Sequence, residues 1–458
     1  MTLLTKAPRG TADVLPDESY KRKFVEDVLI DCAEDADFKE IRTPVFEHTE
    51  LFKRSVGETT DVVQKEMYTF EDNGRRSITL RPEGTAGCAR AFLEHGLFNE
   101  PLPQKYFYLT SCYRYEKPQA GRLREFHQFG VETLGSDSPA ADAEIIALAR
   151  HIFDMFEIDD ISLEINSIGC PECRKKYHAE LKKYFEERKD RLCETCLTRL
   201  EKNPMRILDC KSPVCQEIAK GAPVMLDFLC EDCKAHFEKV KKYLNAMQID
   251  YTVNPRIVRG LDYYTNTVFE FVSTGIGAQG TVCGGGRYNG LIKELSGDSI
   301  PACGFGMGIE RLMLLIKAKG KELPPDKKPI IYIIPASEDY SFEAMRIVNE
   351  LREAGVYAIT DLGSRSIKAQ MKYANKRNAV YTAVLGGDEI ESRTLSVKKM
   401  ESGEKIDFEL DTFVDDFAEL AVDALFENVL GGADGLFDDD DGSSGANPFL
   451  SLLNGGKK

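Results

Sequence analysis

Apolar and polar residues follow two different rhythms along this chain, and the change between them divides it. Residues 18–36 carry Phe24, Val28 and Cys32 at i, i+4 and i+8 among charged residues, which predicts an amphipathic helix. Residues 38–45 then turn extended and end near Pro44, which a central strand does not accommodate. Segments 104–115 and 127–134 are rich in aromatic and β-branched side chains and predict strands; 163–168, 267–272 and 304–307 add shorter ones. Strands scattered this way, without regular βαβ alternation, predict an α+β body. A Pro/Lys-rich stretch, 319–329, reads as a linker. Beyond it strands (330–335, 356–360, 380–385) alternate with helices (341–354, 366–376), which predicts a small α/β domain.

The expected organisation is a first domain over 1–322, a linker over 323–328, an α/β domain over 329–412, and a helix and acidic tail over 413–458. Residues 170–247 interrupt the first domain with a helical, charged insertion that holds eight of the thirteen cysteines. The end of the tail, with its Gly-Gly and Asp438–Asp441, reads as disordered by composition.

Composition narrows the class. Apolar residues make up 42% and charged residues 30%, the balance of an ordinary globular protein. No run of 18 apolar residues offers a membrane span, and the opening MTLLTKAPRG is too short and too quickly interrupted for a secretory signal, so a cytoplasmic location is expected. Sixty basic against 76 acidic residues give a net charge of −16. That argues against non-specific coating of nucleic acid but leaves room for local basic patches.

Five constellations carry the candidate chemistry. Arg81-Pro82-Glu83-Gly84-Thr85 is a tight turn that exposes an acid and a hydroxyl, suited to an ammonium group. Arg114 and Glu116, then a loop with Lys117, Arg122 and Arg124, then Phe126-His127-Gln128 make a hairpin whose arginines suit a polyphosphate. Gln128, Gly130 and Glu132 share one face of the second strand. His127 points the other way, toward the core or a position behind the site. Arg259-Gly260-Leu261-Asp262-Tyr263-Tyr264 and Gly284-Gly285-Gly286-Arg287-Tyr288 follow. Last comes Gly304-Phe305-Gly306-Met307-Gly308-Ile309-Glu310-Arg311, in which alternating glycines are expected to admit a close-lying ligand.

Arg42-Thr43-Pro44, the Arg114/Glu116 hairpin and Gly304–Arg311, in that order, resemble motifs 1, 2 and 3 of class II aminoacyl-tRNA synthetases. Arg81–Thr85, Arg259–Tyr264 and the N-terminal Pro8-Arg9-Gly10-Thr11-Ala12-Asp13 resemble the signatures of the histidyl-tRNA synthetase family, over about residues 5–412. The resemblance implies an antiparallel-sheet catalytic domain followed by an α/β anticodon-binding domain. It implies joining of L-histidine to ATP as an adenylate, with release of pyrophosphate, then transfer to the 3′-terminal adenosine of tRNA(His). It implies ATP with Mg²⁺ and a homodimer through the motif-1 region. By the same resemblance Arg114 and Arg259 are catalytic and, with Glu83, Thr85, Gln128, Glu132, Tyr263 and Tyr264, bind histidine; Glu132 and Tyr264 hold the imidazole nitrogens. ATP falls to Arg114, Glu116, Arg122 and Arg311. A competing reading is a non-catalytic, synthetase-like regulatory subunit of histidine biosynthesis, which should lack the C-terminal domain and carry damaged motifs.

Two features lie beside the resemblance. Arg365, Lys368, Lys372 and Lys376 form a basic stripe on a predicted helix and are candidates for contact with tRNA, while Ile367, Met371 and Ala374 face a sheet. Cys170/Cys173, Cys193/Cys196, Cys210/Cys215 and Cys230/Cys233 have zinc-ligand spacing. The first two pairs are expected to form one set and the last two another; reduced cysteines buried at helix ends are the alternative.

Overall fold

The computed structural model describes residues 5–57, 60, 62–208, 210, 212–257, 263–275 and 280–430, the side chains of 423–430 excepted. The acidic tail expected after 430 and the candidate Arg259 lie outside the described residues. The chain divides into two compact units, Met1–Glu322 and Leu323–Lys458. Among the described residues no helix is long and apolar enough to cross a membrane.

In the first unit the strands are β1 (Lys39–Glu40), β2 (Phe46–His48), β3 (Thr69–Glu71), β4 (Ser77–Leu80), β5 (Gln104–Tyr113), β6 (Glu125–Leu134), β7 (Ile161–Ser167), β8 (Thr252–Val253), β9 (Thr265–Ser273), β10 (Thr281–Arg287) and β11 (Ala302–Gly308). The helices are α1 (Pro16–Asp35), α2 (Thr49–Val56), α3 (Thr85–Glu94), α4 (Pro139–Met155), α5 (Pro171–Glu186), α6 (Glu194–Lys202), α7 (Pro213–Ala219), α8 (Glu231–Ala246), α9 (Leu291–Ser296) and α10 (Ile309–Ala318). An eight-stranded sheet runs β1-β5-β6-β11-β10-β9-β7-β8, and a small sheet runs β2-β4-β3. The large sheet is antiparallel through its middle, with parallel pairs at both edges, β1 on β5 and β7 on β8. Helix α1 starts at Pro16, where a missing N–H costs nothing, and buries Val25, Val28, Leu29, Cys32 and Ala33. Helices α5 to α8 form the insertion, and the chain leaves the sheet at β7 and returns to the neighbouring β8.

The second unit contains β12 (Ile331–Pro335), β13 (Ala358–Thr360), β14 (Tyr381–Leu385), β15 (Thr394–Lys399) and β16 (Lys405–Glu409), with α11 (Ser341–Glu353), α12 (Ile367–Lys376), α13 (Gly387–Ser392) and α14 (Phe413–Leu430). Its sheet order is β13-β12-β14-β15-β16. The parallel trio matches the alternation read from the sequence; the antiparallel β15–β16 hairpin was not anticipated. Its strands are short, charged and half exposed, so they carry little apolar signal. The α/β domain was expected to end at 412, yet Phe413, Phe417 and Ala421 of α14 are fully buried against Tyr381, Leu395 and Val397.

Candidate active site

Strand register builds one end of a cavity. Glu132 of β6 pairs with Gly304 of β11, and Gly130 pairs with Gly306. A Cβ on Gly304 would run into the Glu132 carboxylate, and one on Gly306 into the Gln128 amide. The space above Gly304 is therefore filled by the Glu132 side chain. Gly306 and Gly308 form part of the cavity wall, while Gly304 and Gly306 also let Glu132 and Gln128 lie flat across the sheet. Gly84 and Gly130 do the same for the Tyr108 ring.

Glu132 is 1% exposed. It accepts hydrogen bonds from Thr85 Oγ1 (2.7 Å), Tyr108 Oη (2.9 Å) and Tyr288 Oη. Burial pushes its carboxyl up to about 8, against the pull of those three hydroxyls. Glu83 is also buried, and both its oxygens accept backbone N–H groups at the start of α3, from Thr85 (2.6 Å) and Ala86 (2.9 Å). Burial raises its pKa despite these bonds. Tyr263, Tyr264 and Tyr288 stack as a buried trio, with ring centroids 4.7 and 5.4 Å apart for Tyr263 to its two neighbours.

The other end is cationic. Arg114 Nε donates to the Pro82 carbonyl at 2.8 Å, and its guanidinium lies over the Phe126 ring, 5.2 Å from the centroid. Arg311, in the first turn of α10, donates to the carbonyls of Gly121 (3.3 Å) and Thr281. Its pKa is lowered by burial and then by Arg122 and Arg114, so three guanidiniums repel one another here. Arg122 is ion-paired with Glu116. Glu310 accepts from the His127 backbone N–H at 3.0 Å and lies 2.8 Å from His127 Nδ1. Burial would raise Glu310, but the His127 contacts hold it below the ordinary carboxylate range.

These groups meet in one cavity of about 210 Å³. Its walls include Glu83, Thr85, Gln128, Tyr263 and Tyr264 at one end and Arg114, Glu116, Arg122 and Arg311 at the other. Glu132 lies behind Thr85 and is not a wall residue. Tyr108, Tyr288, Phe126 and Glu310 join the site residues expected from the sequence. Tyr288 and Glu310 stand inside motifs already singled out, and only tertiary contacts tell them from their neighbours. Two motif arginines are structural. Arg81 donates to the carbonyls of Thr43 (2.8 Å) and Ser111 (2.7 Å), and fully buried Arg287 pairs with Asp142 Oδ2.

In the second unit Lys368, Lys372 and Lys376 are exposed on α12. Arg365 departs from the expected stripe: it precedes the helix, pairs with Asp361 at 2.5 Å and stacks 4.3 Å from the Tyr373 centroid. Ile367 was expected to face the sheet and is instead 39% exposed; Gln370 takes the inner position and donates to the Pro335 carbonyl at 3.0 Å.

The insertion corrects the expected cysteine sets. Cys170, Cys173, Cys230 and Cys233 converge in one cluster, and Cys193, Cys196, Cys210 and Cys215 in another. Helices α5 and α8 bring the first and last pairs together, which leaves the two middle pairs to each other.

Known proteins resemble this chain in both units. A family model described as histidyl-tRNA synthetase matches residues 10–312, and one described as anticodon binding domain matches 331–420. The histidine–tRNA ligase of Clostridium novyi is 55% identical over 91% of this chain and 99% of its own length. That of Caldanaerobacter subterraneus is 53% identical over 89% and 98%. The crystal structure of apo S. aureus histidyl-tRNA synthetase superposes with a TM-score of 0.77 at 40% identity, covering 91% of this chain and all of that one. By these matches, along nearly the whole length of its relatives, the chain belongs to the histidyl-tRNA synthetase family.

Proposed function

We propose that the cavity activates L-histidine with ATP, releasing pyrophosphate, and that the histidyl group then passes to the 3′-terminal adenosine of tRNA(His). The observation that carries this reading is the division of one cavity into a tyrosine- and carboxylate-lined end and a three-arginine end. Forming the adenylate brings a carboxylate onto the α-phosphorus of ATP, so two anions must meet. Fixed guanidiniums offset that charge as it crowds. Arg114 of the cationic end, held by the Pro82 carbonyl beside Glu83, serves the α-phosphate and the attacking carboxylate. Arg259 is assigned the opposite side of that phosphate. Arg311 and Arg122 serve the β- and γ-phosphates, and Glu116 the adenine amino group. Arg122 and Glu116 pair with each other here, so each keeps the other compensated until ATP separates them.

At the other end Glu83 and Thr85 take the substrate ammonium, with Gln128 alongside. Tyr264 takes one imidazole nitrogen. Glu132 does not reach the cavity, so in place of the direct imidazole contact expected of it, it acts behind the wall by holding the hydroxyls of Thr85, Tyr108 and Tyr288. A site that hydrogen-bonds its substrate rejects apolar analogues by roughly 10⁴ or more. The wall carboxylates Glu116 and Glu310 are engaged by Arg122 and His127, so Mg²⁺ would be held mainly by triphosphate oxygens and water.

Two further assignments belong to this reading. Lys368, Lys372 and Lys376 offer tRNA phosphate a point-charge row. Val14, Leu15, Val45, Phe46 and Phe70, large apolar residues exposed around the motif-1 segment, supply a homodimer face. A cytoplasmic site of action goes with a tRNA substrate. Charging of tRNA(His) with labelled histidine tests the whole: label should reach the 3′ end only when ATP is present. A chain that binds histidine yet never charges tRNA would instead support the regulatory-subunit reading.

A further inference from the structure

The insertion holds four pairs of cysteines, and the fold joins them in nested order. Within each cluster the ligand sulfurs all lie within 4.8 Å of one another. Cys170 and Cys173 Sγ are 3.5 Å apart, and Cys193 and Cys210 Sγ 3.8 Å. A disulfide needs about 2.05 Å. Four sulfurs around a tetrahedral ion with bonds of about 2.3 Å stand about 3.8 Å from each other. The backbone prepares the same arrangement. Cys170, Cys193 and Cys230 each precede a helix, with Cys173, Cys196 and Cys233 in its first turn, so both thiols of a pair face one point. Backbone N–H groups are aimed at the sulfurs: Cys230 N to Cys173 Sγ at 3.0 Å, and Cys193 N to Cys215 Sγ at 3.4 Å. Helix N-termini and N–H donors favour thiolates over neutral thiols. Packing of reduced thiols as small apolar groups gives no reason for four to converge twice.

The outer cluster is also wired to the cavity. Asn266 pairs with the segment leading into Cys170: Ile168 N donates to its carbonyl at 2.7 Å, and its own N–H donates to Gly169 O at 3.0 Å. Arg174, next to Cys173, donates to the Tyr264 carbonyl at 3.0 Å. Gly169 has φ +61°, and a Cβ there would strike Cys173 Cβ at 2.7 Å, so no other residue allows this approach.

We propose that two structural zinc ions hold the insertion, one on Cys170, Cys173, Cys230 and Cys233 and one on Cys193, Cys196, Cys210 and Cys215, and that the outer ion, through Arg174, positions the Tyr264 wall of the cavity. All-thiolate tetrahedral sites suit zinc or iron, and elemental analysis separates the two, iron in place of zinc overturning the assignment. The second clause rests on the assignment of Tyr264 to histidine; the first does not.

The test uses the full-length chain purified without chelator. Elemental analysis should find two zinc ions per chain, and cobalt exchanged into both sites should give a thiolate-to-metal charge-transfer band. The combined variant C193S/C196S/C210S/C215S should retain one metal. Absence of zinc together with absence of the cobalt band overturns the metal assignment. A combined variant holding no metal overturns the nested pairing. Arg174→Met leaves both clusters intact, so it should keep two zinc ions and raise the KM for histidine in pyrophosphate exchange about threefold to tenfold, as for loss of one hydrogen bond. An unchanged KM in Arg174→Met overturns the positioning role. It can be read even if the combined cysteine variant does not fold. Zinc found in a chain without exchange activity would separate the metal assignment from the functional reading, upholding the first and sinking the second.

Discussion

A carboxyl buried among three hydroxyls and titrating near neutrality ties stability to pH in a stated direction. Glu132 is raised from 4.5 in the unfolded chain to about 8 in the folded one. Between those values the folded state binds the extra proton, so this group's contribution to stability falls as pH rises from 4.5 to 8. Glu132→Gln removes that dependence. Relative to the parent, the variant should gain up to a few kcal/mol between pH 5 and pH 8, read from chemical unfolding at each pH. Parallel pH profiles for the two chains would refute the assignment. Arg259→His should lower adenylate formation roughly 10²-fold, as for loss of one transition-state donor, with histidine affinity less affected; near-normal turnover would make Arg259 dispensable. At this scale the sequence showed which residue types gather but not what each one touches. Glu83, Thr85, Arg114, Gln128 and Arg311 do share a cavity. Nothing local, however, distinguishes Arg287, locked onto Asp142, from an arginine facing that cavity. The purpose of Gly304 and Gly306 depends on cross-strand register, which one strand's residues cannot reveal.

Elements were legible where one periodicity dominates. Helix α1 and strands β5, β6 and β9 were expected within a few residues of their observed bounds, because each buries a continuous apolar face. Helix α14 shows the limit. The expected domain ends at 412, before this helix, while Phe413 and Phe417 stack within the core at 5.4 Å. Phe417→Ala should therefore cost about 3–5 kcal/mol in unfolding of the second unit; a loss below about 1 kcal/mol would place α14 outside the cooperative core. Helix α12 carries the tRNA prediction. Changing Lys368, Lys372 and Lys376 together to Ala should raise the KM for tRNA. It should also flatten the salt dependence of binding by about 0.7 to 0.9 in log slope for each phosphate that is no longer neutralised. Exchange with histidine and ATP should be untouched, since the first step does not use tRNA. Normal charging by this triple variant at physiological salt would move the interface elsewhere.

The whole molecule carries a net charge of −16, yet its cations are placed where anions must be held. Arg114, Arg122 and Arg311 converge at the cavity, and three lysines line α12. An acidic body with local basic sites favours chosen phosphates over any polyanion. The exposed apolar side chains of Phe46 and Phe70 on the small sheet, with Val45 beside them, predict a species of twice 51.4 kDa by sedimentation at micromolar concentration; a monomer there would sink the dimer. Activation of histidine with ATP in one cavity underlies every assignment made to its walls, and histidine-dependent exchange of labelled pyrophosphate into ATP measures that step alone. The expected result is exchange with histidine, roughly 10⁴-fold weaker exchange with phenylalanine, and loss of exchange in Arg114→Ala. Exchange that is absent with histidine, or equal for both amino acids, would contradict it.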